Sequence, residues 1–264
     1  MPPIITSRQH AIVKAFRAVA GGDEARALLD GWHLLHEAAS AGIAVEAIAV
    51  SGDPQNTADA ALIGHLALNR DVIVSTVSPT VMNALSPVRT PTGVVALIRR
   101  PLVEWTQLLS PDPALVVVAI DIQDPGNAGA IIRAAEAGGA TGVVFAGESA
   151  DVWGWKALRA AMGSTFRMPV YQQRDPLVVC DVLRSHGVTL IGTIPHDGRS
   201  MHDENLRGPT ALVFGGEGSG LSPPILRVID RVVSIPMQRP VESLNVAVAT
   251  GVLVYEARRQ RQIP

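Results

Sequence analysis

The sequence has one cysteine, few aromatic residues and almost no lysine. Cys180 alone cannot build a disulfide framework or a cysteine-based zinc site, so we expect a reducing, cytoplasmic location and a buried thiol. Aromatic residues make up 4% of the chain, and the 47% hydrophobic content therefore comes mainly from Ala, Val, Leu and Ile. This hydrophobic content, with only 17% charged residues, excludes a disordered chain.

Long apolar runs and an excess of one charge are also missing. The longest runs, such as 114–120, are far shorter than the roughly 20 residues of a membrane-spanning helix, and the N-terminus has no apolar signal segment. We therefore expect no membrane partner. The net charge is −2, with 8 basic and 9 acidic residues before residue 110, so neither half is a basic arm for duplex nucleic acid.

Arginine and histidine usage bears on possible ligands. All but two of the 22 Lys and Arg residues are arginine, which suits bidentate phosphate contacts, although a biased genome would give the same composition. The seven histidines show no HExxH or similar ligand spacing, so the sequence predicts no metal site.

The hydrophobic pattern predicts two α/β domains, an N-terminal one over 1–100 and a C-terminal one over 114–264, joined by a linker over 101–113. In the first, we predict helices over 6–20 (with Ser7 as N-cap), 24–41, 57–69 and 79–85, and strands over 44–50, 72–77 and 93–98. In the second, near-continuous apolar strands alternate with helices, which is typical of a parallel sheet covered on both faces. These strands are predicted over 115–121, 142–146, 188–194, 211–214 and 232–235.

The last predicted helix, over 242–262, is apolar on nearly every face. A helix of this kind is buried, and at the end of a chain it suits a subunit interface as well as a core.

Three polar segments follow strands of the predicted parallel sheet, at the edge where such sheets bind ligands. Each alone is typical of ordinary turns and helix caps. The glycine-rich segment is not a P-loop, because Gly220-Leu221-Ser222 stands where Gly-Lys-Ser is needed, and it follows a late strand, unlike a Rossmann loop. Together, however, the three segments indicate one ligand site. They are 124–133, with Asn127 and Arg133; 214–221, with Glu217; and 235–247, with Ser243 and Asn245 in the first turn of the last helix.

These segments resemble the signature motifs of the SpoU family of RNA ribose 2′-O-methyltransferases, in the SPOUT superfamily. Upstream, Thr6-Ser-Arg-Gln9 and Leu29-Asp-Gly31 are similar to the family's substrate-binding domain, so the resemblance covers nearly the whole chain. The sequence departs from the family pattern at Arg239, where Gly is common, and at Ala161, where Ser is frequent. The matching motifs are Asn127-x-Gly129-x-x-x-Arg133, Gly215-x-Glu217-Gly218-x-Gly220-Leu221, and Ile235-Pro-Met237 followed by Glu242-Ser-Leu-Asn245.

The resemblance implies a C-terminal domain that ends in a deep trefoil knot, binds S-adenosylmethionine in that knot and forms a homodimer through it. No metal is implied. RNA, ribosomal or transfer, would be the partner and would be bound by the N-terminal domain through Arg8, Lys14 and Arg17. The implied cofactor contacts are Thr193, Gly215, Gly216, Gly218, Ile235, Met237 and Leu244.

The implied catalytic residues are Arg133, Asn127, Glu217, Ser243 and Asn245. A guanidinium stays protonated in proteins, so we interpret Arg133 as a group that holds the target phosphate and stabilises the developing 2′-alkoxide, rather than as a general base. The three residues Asn127, Ser243 and Asn245 would align the ribose, and Glu217 would orient the site.

Two alternatives remain open from the sequence: a SPOUT methyltransferase that acts on a base nitrogen, and a non-catalytic RNA-binding or assembly factor that kept the knot. The Ser-Leu-Asn form of the third motif favours a ribose acceptor. The intact set of polar residues weighs against a pure binding protein, which does not need it.

Overall fold

A computed structural model describes residues 3–54 and 56–262, and its strands form two separate sheets. The chain divides into two units: Met1–Leu102 with Trp153–Phe166, and Val103–Val152 with Arg167–Pro264. Within the segment predicted as a linker, Trp105–Leu109 forms a helix whose Leu108 is fully buried in the second unit.

The first unit contains a four-stranded mixed sheet. Its strands are Arg26–Asp30 (β1), Val45–Val50 (β2), Ile73–Thr76 (β3) and Val94–Arg99 (β4), in the order β1-β4-β2-β3. The β4 strand is antiparallel to β1 and β2, whereas β2 and β3 are parallel. The accompanying helices are Ala11–Ala20 (α1), Trp32–Ser40 (α2), Thr57–Leu66 (α3) and Pro79–Leu85 (α4).

Two predictions for the first unit are wrong. The first helix begins at Ala11, and its N-cap is His10 rather than Ser7. The Ser7 hydroxyl accepts the Gln9 N–H, in a turn that precedes the helix. The predicted helix over 24–41 is a strand followed by a shorter helix. Ala and Leu favour a helix in isolation, but here 26–30 pairs with β4 along its whole length and is buried from residue 27 onward.

The second unit contains a seven-stranded parallel sheet, in the order β7-β6-β5-β10-β8-β11-β9. The predicted α/β class is thereby confirmed. Its strands are Leu115–Ile120 (β5), Gly142–Ala146 (β6), Val170–Gln173 (β7), Thr189–Thr193 (β8), Arg199–Ser200 (β9), Thr210–Phe214 (β10) and Arg231–Ser234 (β11). The remaining helices of the chain are Trp105–Leu109 (α5), Pro125–Gly138 (α6), Trp155–Ala161 (α7), Ser164–Arg167 (α8), Pro176–Ser185 (α9), Pro223–Val228 (α10) and Val246–Arg261 (α11).

The β7 and β9 strands were absent from the sequence prediction. They lie at opposite edges of the sheet, and their sequences, VYQQ and RS, lack the continuous apolar run of a central strand. Cys180 is buried in the core of this unit, as expected, and burial raises the pKa of its thiol to about 11. Among residues 3–54 and 56–262, no helix is long and apolar enough to cross a membrane.

The C-terminal helix α11 packs against α6. Gly138 permits the contact, because a Cβ there would lie 2.3 Å from Val254 Cγ1. The helix begins later than predicted, because Asn245 is its N-cap and accepts the N–H groups of Ala247 and Val248. One face of α11 is also open rather than buried all round: Val248 and Tyr255 are each 52% exposed.

Arg261, in the last turn of α11, fastens the end of the helix to the sheet. Its Nε donates to the carbonyl of Leu206 at 2.9 Å, Nη1 to that of Pro113 at 2.7 Å, and Nη2 to those of Ala114 and Gly208 at 3.0 and 2.7 Å. One side chain thus joins the final helix, the entry to β5 and the loop before β10.

We expect Arg261→Ala to lower the free energy of unfolding by about 3 kcal/mol, because hydrogen bonds that involve a charged group are worth about 1.5–3 kcal/mol and carbonyls are left unpaired. Urea unfolding followed by circular dichroism would measure the loss. Arg258→Ala is the matched control, since Arg258 is exposed and donates only to the Ala137 carbonyl within the described residues. Equal losses in the two variants would contradict this role of Arg261.

Candidate functional site

A cavity of about 450 Å³ opens at the carboxyl edge of the parallel sheet, beyond β8, β10 and β11 and beside the start of α11. This volume is in the range of small-molecule sites. Its walls combine apolar side chains with backbone groups of a glycine-rich loop. The lining residues are Thr193, Ile194, Pro195, Phe214, Gly215, Gly216, Glu217, Gly218, Gly220, Val233, Ile235, Met237, Ser243, Leu244, Asn245, Val246, Ala249 and Leu253.

The three polar segments predicted to share a site meet beside this cavity. The Glu217 carboxylate accepts hydrogen bonds through Oε1 from Asn127 Nδ2 and, at 3.3 Å, from Asn245 Nδ2. Asn245 Nδ2 also donates to Asn127 Oδ1 at 3.0 Å. The side chains after β5, β10 and β11 therefore form one closed network.

Asn127 is positioned by the N-terminus of α6. Asp124 caps this helix by accepting the Asn127 backbone N–H at 2.8 Å, and Pro125 occupies the first turn, where its missing N–H costs nothing. Gly126 leaves room for the cap, because a Cβ there would lie 2.8 Å from Asp124 Oδ1. The Asp-Pro-Gly sequence before Asn127 is a recognisable helix-capping pattern.

The glycine-rich loop folds back on itself. Gly220 donates its N–H to the Gly216 carbonyl at 3.0 Å, and a Cβ on Gly215 would lie 2.2 Å from the Gly220 carbonyl carbon. Gly216 lies against the backbone after β5, where a Cβ would be 2.8 Å from the Asp121 oxygen. Packing within the protein therefore requires these glycines, in addition to any ligand contact.

The predicted cofactor residues all line the cavity: Thr193, Gly215, Gly216, Gly218, Ile235, Met237 and Leu244. Of the predicted catalytic residues, Glu217, Ser243 and Asn245 line it as well, whereas Asn127 is connected to it through its hydrogen bonds to Glu217 and Asn245. Ser243 lies in the exposed loop before α11, not in the first turn of the helix as predicted. The roles of these residues stay predictions.

Arg133, like Asn127, is not among the described residues that line the cavity, and no hydrogen bond connects it to the Asn127–Glu217–Asn245 network. It lies on an exposed part of α6, past Asn127. Within residues 3–54 and 56–262, its guanidinium makes no hydrogen bond or ion pair. Its charge is thus available to an external group.

Two residues that hold the site were missed from the sequence. Asp121, in the left-handed region with φ of 58°, follows β5 and accepts the Glu148 N–H at 2.8 Å while its carbonyl abuts Gly216. Ser234 Oγ donates to the Ile194 carbonyl at 2.9 Å and accepts the Gly198 N–H at 3.0 Å, which fixes the loop after β8. No sequence pattern marks either residue, because the backbone groups that their side chains contact are distant in the chain.

The three residues predicted to bind RNA lie on α1 or just before it, in the first unit. The helix buries Val13, Phe16 and Val19 and leaves Lys14 and Arg17 exposed, as is Arg8 before it. Arg17 Nε donates to the Ala84 carbonyl at 3.1 Å, so part of its hydrogen-bonding capacity is used within the unit.

Charge at the cavity is sparse and negative. Among the described residues that line the cavity, Glu217 is the one Asp, Glu, Lys, Arg or His. Anywhere in the described ranges, the cavity included, no group of three or more His, Cys, Asp and Glu side chains is arranged to hold a metal ion. The arrangement suits a ligand that has a flat apolar part, hydrogen-bonding groups for backbone amides and carbonyls, and a positive charge near Glu217.

Comparison with known proteins gives the same picture. Residues 114–255 match the SpoU rRNA Methylase family. An uncharacterised tRNA/rRNA methyltransferase from Synechocystis is 32% identical over 97% of this chain and 94% of its own length. The 23S rRNA (guanosine(2553)-2′-O)-methyltransferase RlmP of Bacillus subtilis is 32% identical over 88% of each chain. The crystal structure of the SpoU methyltransferase AviRb from Streptomyces viridochromogenes, in complex with AdoMet, superposes with a TM-score of 0.86 at 28% identity, over 96% of this chain and 98% of the other.

We expect Gly216→Ala to lower the free energy of unfolding by about 2 kcal/mol, because its Cβ would press on the Asp121 backbone and crowding of this kind costs about 1–3 kcal/mol. Gly208→Ala is the control, since a Cβ at Gly208 meets nothing within 4 Å. Urea unfolding of the two variants would compare them. A Gly216→Ala protein as stable as the control would show that the loop after β10 can shift freely, against the packing described above.

Proposed function

Since the chain belongs to the SpoU rRNA methylase family, it is an S-adenosylmethionine-dependent RNA 2′-O-methyltransferase, and we propose that its substrate is ribosomal RNA. The methyltransferase function is supported most directly by the Asn127–Glu217–Asn245 network, which lies beside a nucleoside-sized cavity. Ribosomal rather than transfer RNA is favoured by the relatives named for 23S rRNA, among them the Bacillus subtilis enzyme. The base-nitrogen and non-catalytic alternatives have no comparable support.

The cavity fits S-adenosylmethionine. Ile235, Leu244 and Leu253 offer an apolar surface for an adenine ring, and the loop 215–220 offers backbone N–H and carbonyl groups for its edge and for the ribose. The Glu217 carboxylate is the complement of a positive charge. When bound, the cofactor supplies a methyl group on a positively charged sulfur.

The polar network then acts on the acceptor ribose. Glu217 fixes the two amide groups by accepting one N–H from each, and Asn245 is further fixed because its oxygen caps α11. An amide nitrogen carries two N–H donors, so Asn127 keeps one N–H beyond the bond to Glu217. In our proposal this N–H and the Ser243 hydroxyl hold the ribose oxygens, which orients the 2′-oxygen for in-line attack.

Arg133 supplies the positive charge in this proposal. Its guanidinium cannot accept the 2′-proton, which leaves to solvent, but it can stabilise negative charge that develops on the 2′-oxygen and bind the neighbouring phosphate. Its exposed position without a partner inside the described chain supports a contact with an external anion.

The quaternary structure and the knot belong to the same proposal. Val248 and Tyr255 on α11, beside the close approach of Gly251 to Ala134 of α6, form an exposed apolar face with small residues that suits a homodimer of this unit. A trefoil knot is part of the proposal because the chain belongs to this family, and the packing of the C-terminal helix α11 against α6 is compatible with it. The single, buried cysteine supports a cytoplasmic location.

We expect loss of the gene to remove one 2′-O-methyl nucleoside from ribosomal RNA, measured by mass spectrometry of nucleosides from the separated RNA classes. The wild-type gene should restore it, and Arg133→Ala should not, because removal of one group that stabilises transition-state charge costs about 100- to 1000-fold in rate. Arg227→Ala, an exposed arginine at the far end of α10, is the matched control and should restore the nucleoside.

The purified Arg133→Ala protein should bind S-adenosylmethionine in calorimetry as the wild type does, because Arg133 does not line the cavity. A methyl group lost from a base, or from transfer RNA only, would overturn the proposed acceptor or substrate. Full activity of Arg133→Ala would overturn the role of Arg133.

We expect the double variant Arg8→Ala with Lys14→Ala to bind ribosomal RNA more weakly and with a shallower salt dependence. Each lost phosphate contact removes about 0.7–0.9 from the slope of log K against log salt, so the slope should fall by about 1.5. Filter binding over a series of KCl concentrations would measure it, with Arg70→Ala as the exposed control in the same unit. An unchanged slope would place the RNA contacts on other residues.

A further inference from the structure

We propose that Arg239 is an RNA phosphate-binding residue at the mouth of the cofactor cavity, and that it sets the affinity of the enzyme for its RNA without taking part in methyl transfer. This inference rests on the proposed function, because it assumes that RNA approaches this mouth. It is distinct from the catalytic role proposed for Arg133.

The backbone presents Arg239 at the tip of a closed turn. Val241 donates its N–H to the Gln238 carbonyl at 3.1 Å, so Arg239 and Pro240 occupy the two corners of a four-residue turn. The turn lies in the loop between β11 and α11, and residues on both sides of it, Met237 and Ser243, line the cavity. Arg239 is two residues from Met237, and its Cα is therefore within about 7 Å of a cavity-lining residue.

The Arg239 side chain has no use inside the protein. It is exposed, and among the residues that the structure describes it makes no hydrogen bond and no ion pair, even with the nearby Glu242. Most arginines of this unit differ: Arg167, Arg184, Arg231, Arg259 and Arg261 are each bonded to carboxylates or carbonyls. An arginine at a turn tip with a free guanidinium has its charge and its donors available for an external acceptor.

Binding of RNA at the mouth of the cavity requires a positive charge there. Glu217 is the one ionisable side chain in the cavity lining, the chain as a whole carries −2, and RNA carries one negative charge per nucleotide. A polyanion brought to this edge is repelled unless cations outside the lining balance Glu217. The planar guanidinium of Arg239 can bind a phosphate through two parallel N–H donors, which also fixes the direction of the RNA strand past the cavity.

The position of the turn predicts a contact with the strand beside the target nucleotide rather than with its ribose. The predicted ribose contacts come from Asn127 and Ser243, whereas Arg239 belongs to the outer tip of the loop. A residue of this kind changes RNA affinity and leaves the chemical step intact.

The test measures methylation kinetics and RNA binding for Arg239→Ala, Arg239→Lys and the control Arg227→Ala. The probe is ribosomal RNA purified from cells that lack the gene, with radiolabelled S-adenosylmethionine as methyl donor. We expect Arg239→Ala to raise the KM for RNA about tenfold at 150 mM KCl, the change that corresponds to loss of one charged hydrogen-bonded contact, with kcat and the Kd for S-adenosylmethionine unchanged. The salt slope of RNA binding should fall by about 0.7–0.9.

The conservative variant separates a phosphate contact from a structural effect. Arg239→Lys keeps the charge and should recover most of the KM and the whole salt slope, whereas a structural role in the turn would not depend on charge. Arg227→Ala should match the wild type throughout. An Arg239→Ala enzyme with the KM and salt slope of wild type would overturn the proposal, and so would a fall in kcat with an unchanged KM.

The failure of the proposed function gives a different result. Wild-type protein that methylates no ribosomal RNA would overturn that function, and filter binding of the same RNA would then decide on Arg239 by itself. Weaker binding of Arg239→Ala would support the phosphate contact, and equal binding would overturn it.

Discussion

The Glu217 carboxylate accepts hydrogen bonds from the amides of Asn127 and Asn245, which belong to the N-terminal turns of two different helices. An amide can orient a substrate only if its rotamer is fixed. The carboxylate that fixes both amides belongs to a third segment, the loop after β10. The arrangement of the site depends on this one acceptor. It also gives the charged residue of the glycine-rich loop a function, which is to hold the amides of two other segments.

The network can form because three segments far apart in sequence end at adjacent points of one sheet. β5 and β10 are neighbours, so the loop after β10 lies against the backbone at Asp121, and the contact leaves no room for a side chain at Gly216. β8 and β11 are neighbours on the other side and bring Thr193 and Ile235 to the same cavity. The cavity is thus a consequence of strand order, and α11 covers it because Asn245 begins the helix at the mouth.

Much of this could be predicted from the sequence. The central strands of the second unit are continuous apolar runs, and their carboxyl ends had to share an edge, which was enough to place Glu217, Asn245 and the glycine-rich loop together. The prediction failed where tertiary contacts outweigh local preference. Residues 26–30 are good helix formers that pair as a strand, β7 and β9 are polar edge strands, and Arg261 acts on carbonyls that no pattern in the sequence connects with it.

The cofactor and the RNA require charges of opposite sign, and this decides where the charged residues of the site can lie. The lining carries one carboxylate, which complements a positively charged cofactor but opposes a polyanionic substrate. A single lining cannot satisfy both ligands, because a cation inside it would repel the cofactor as it attracted the RNA. Cations for the substrate must therefore stand outside the cavity, on exposed elements that RNA meets first. Arg133 on α6 and Arg239 on the loop before α11 meet this condition, since both are exposed and neither is paired within the described chain.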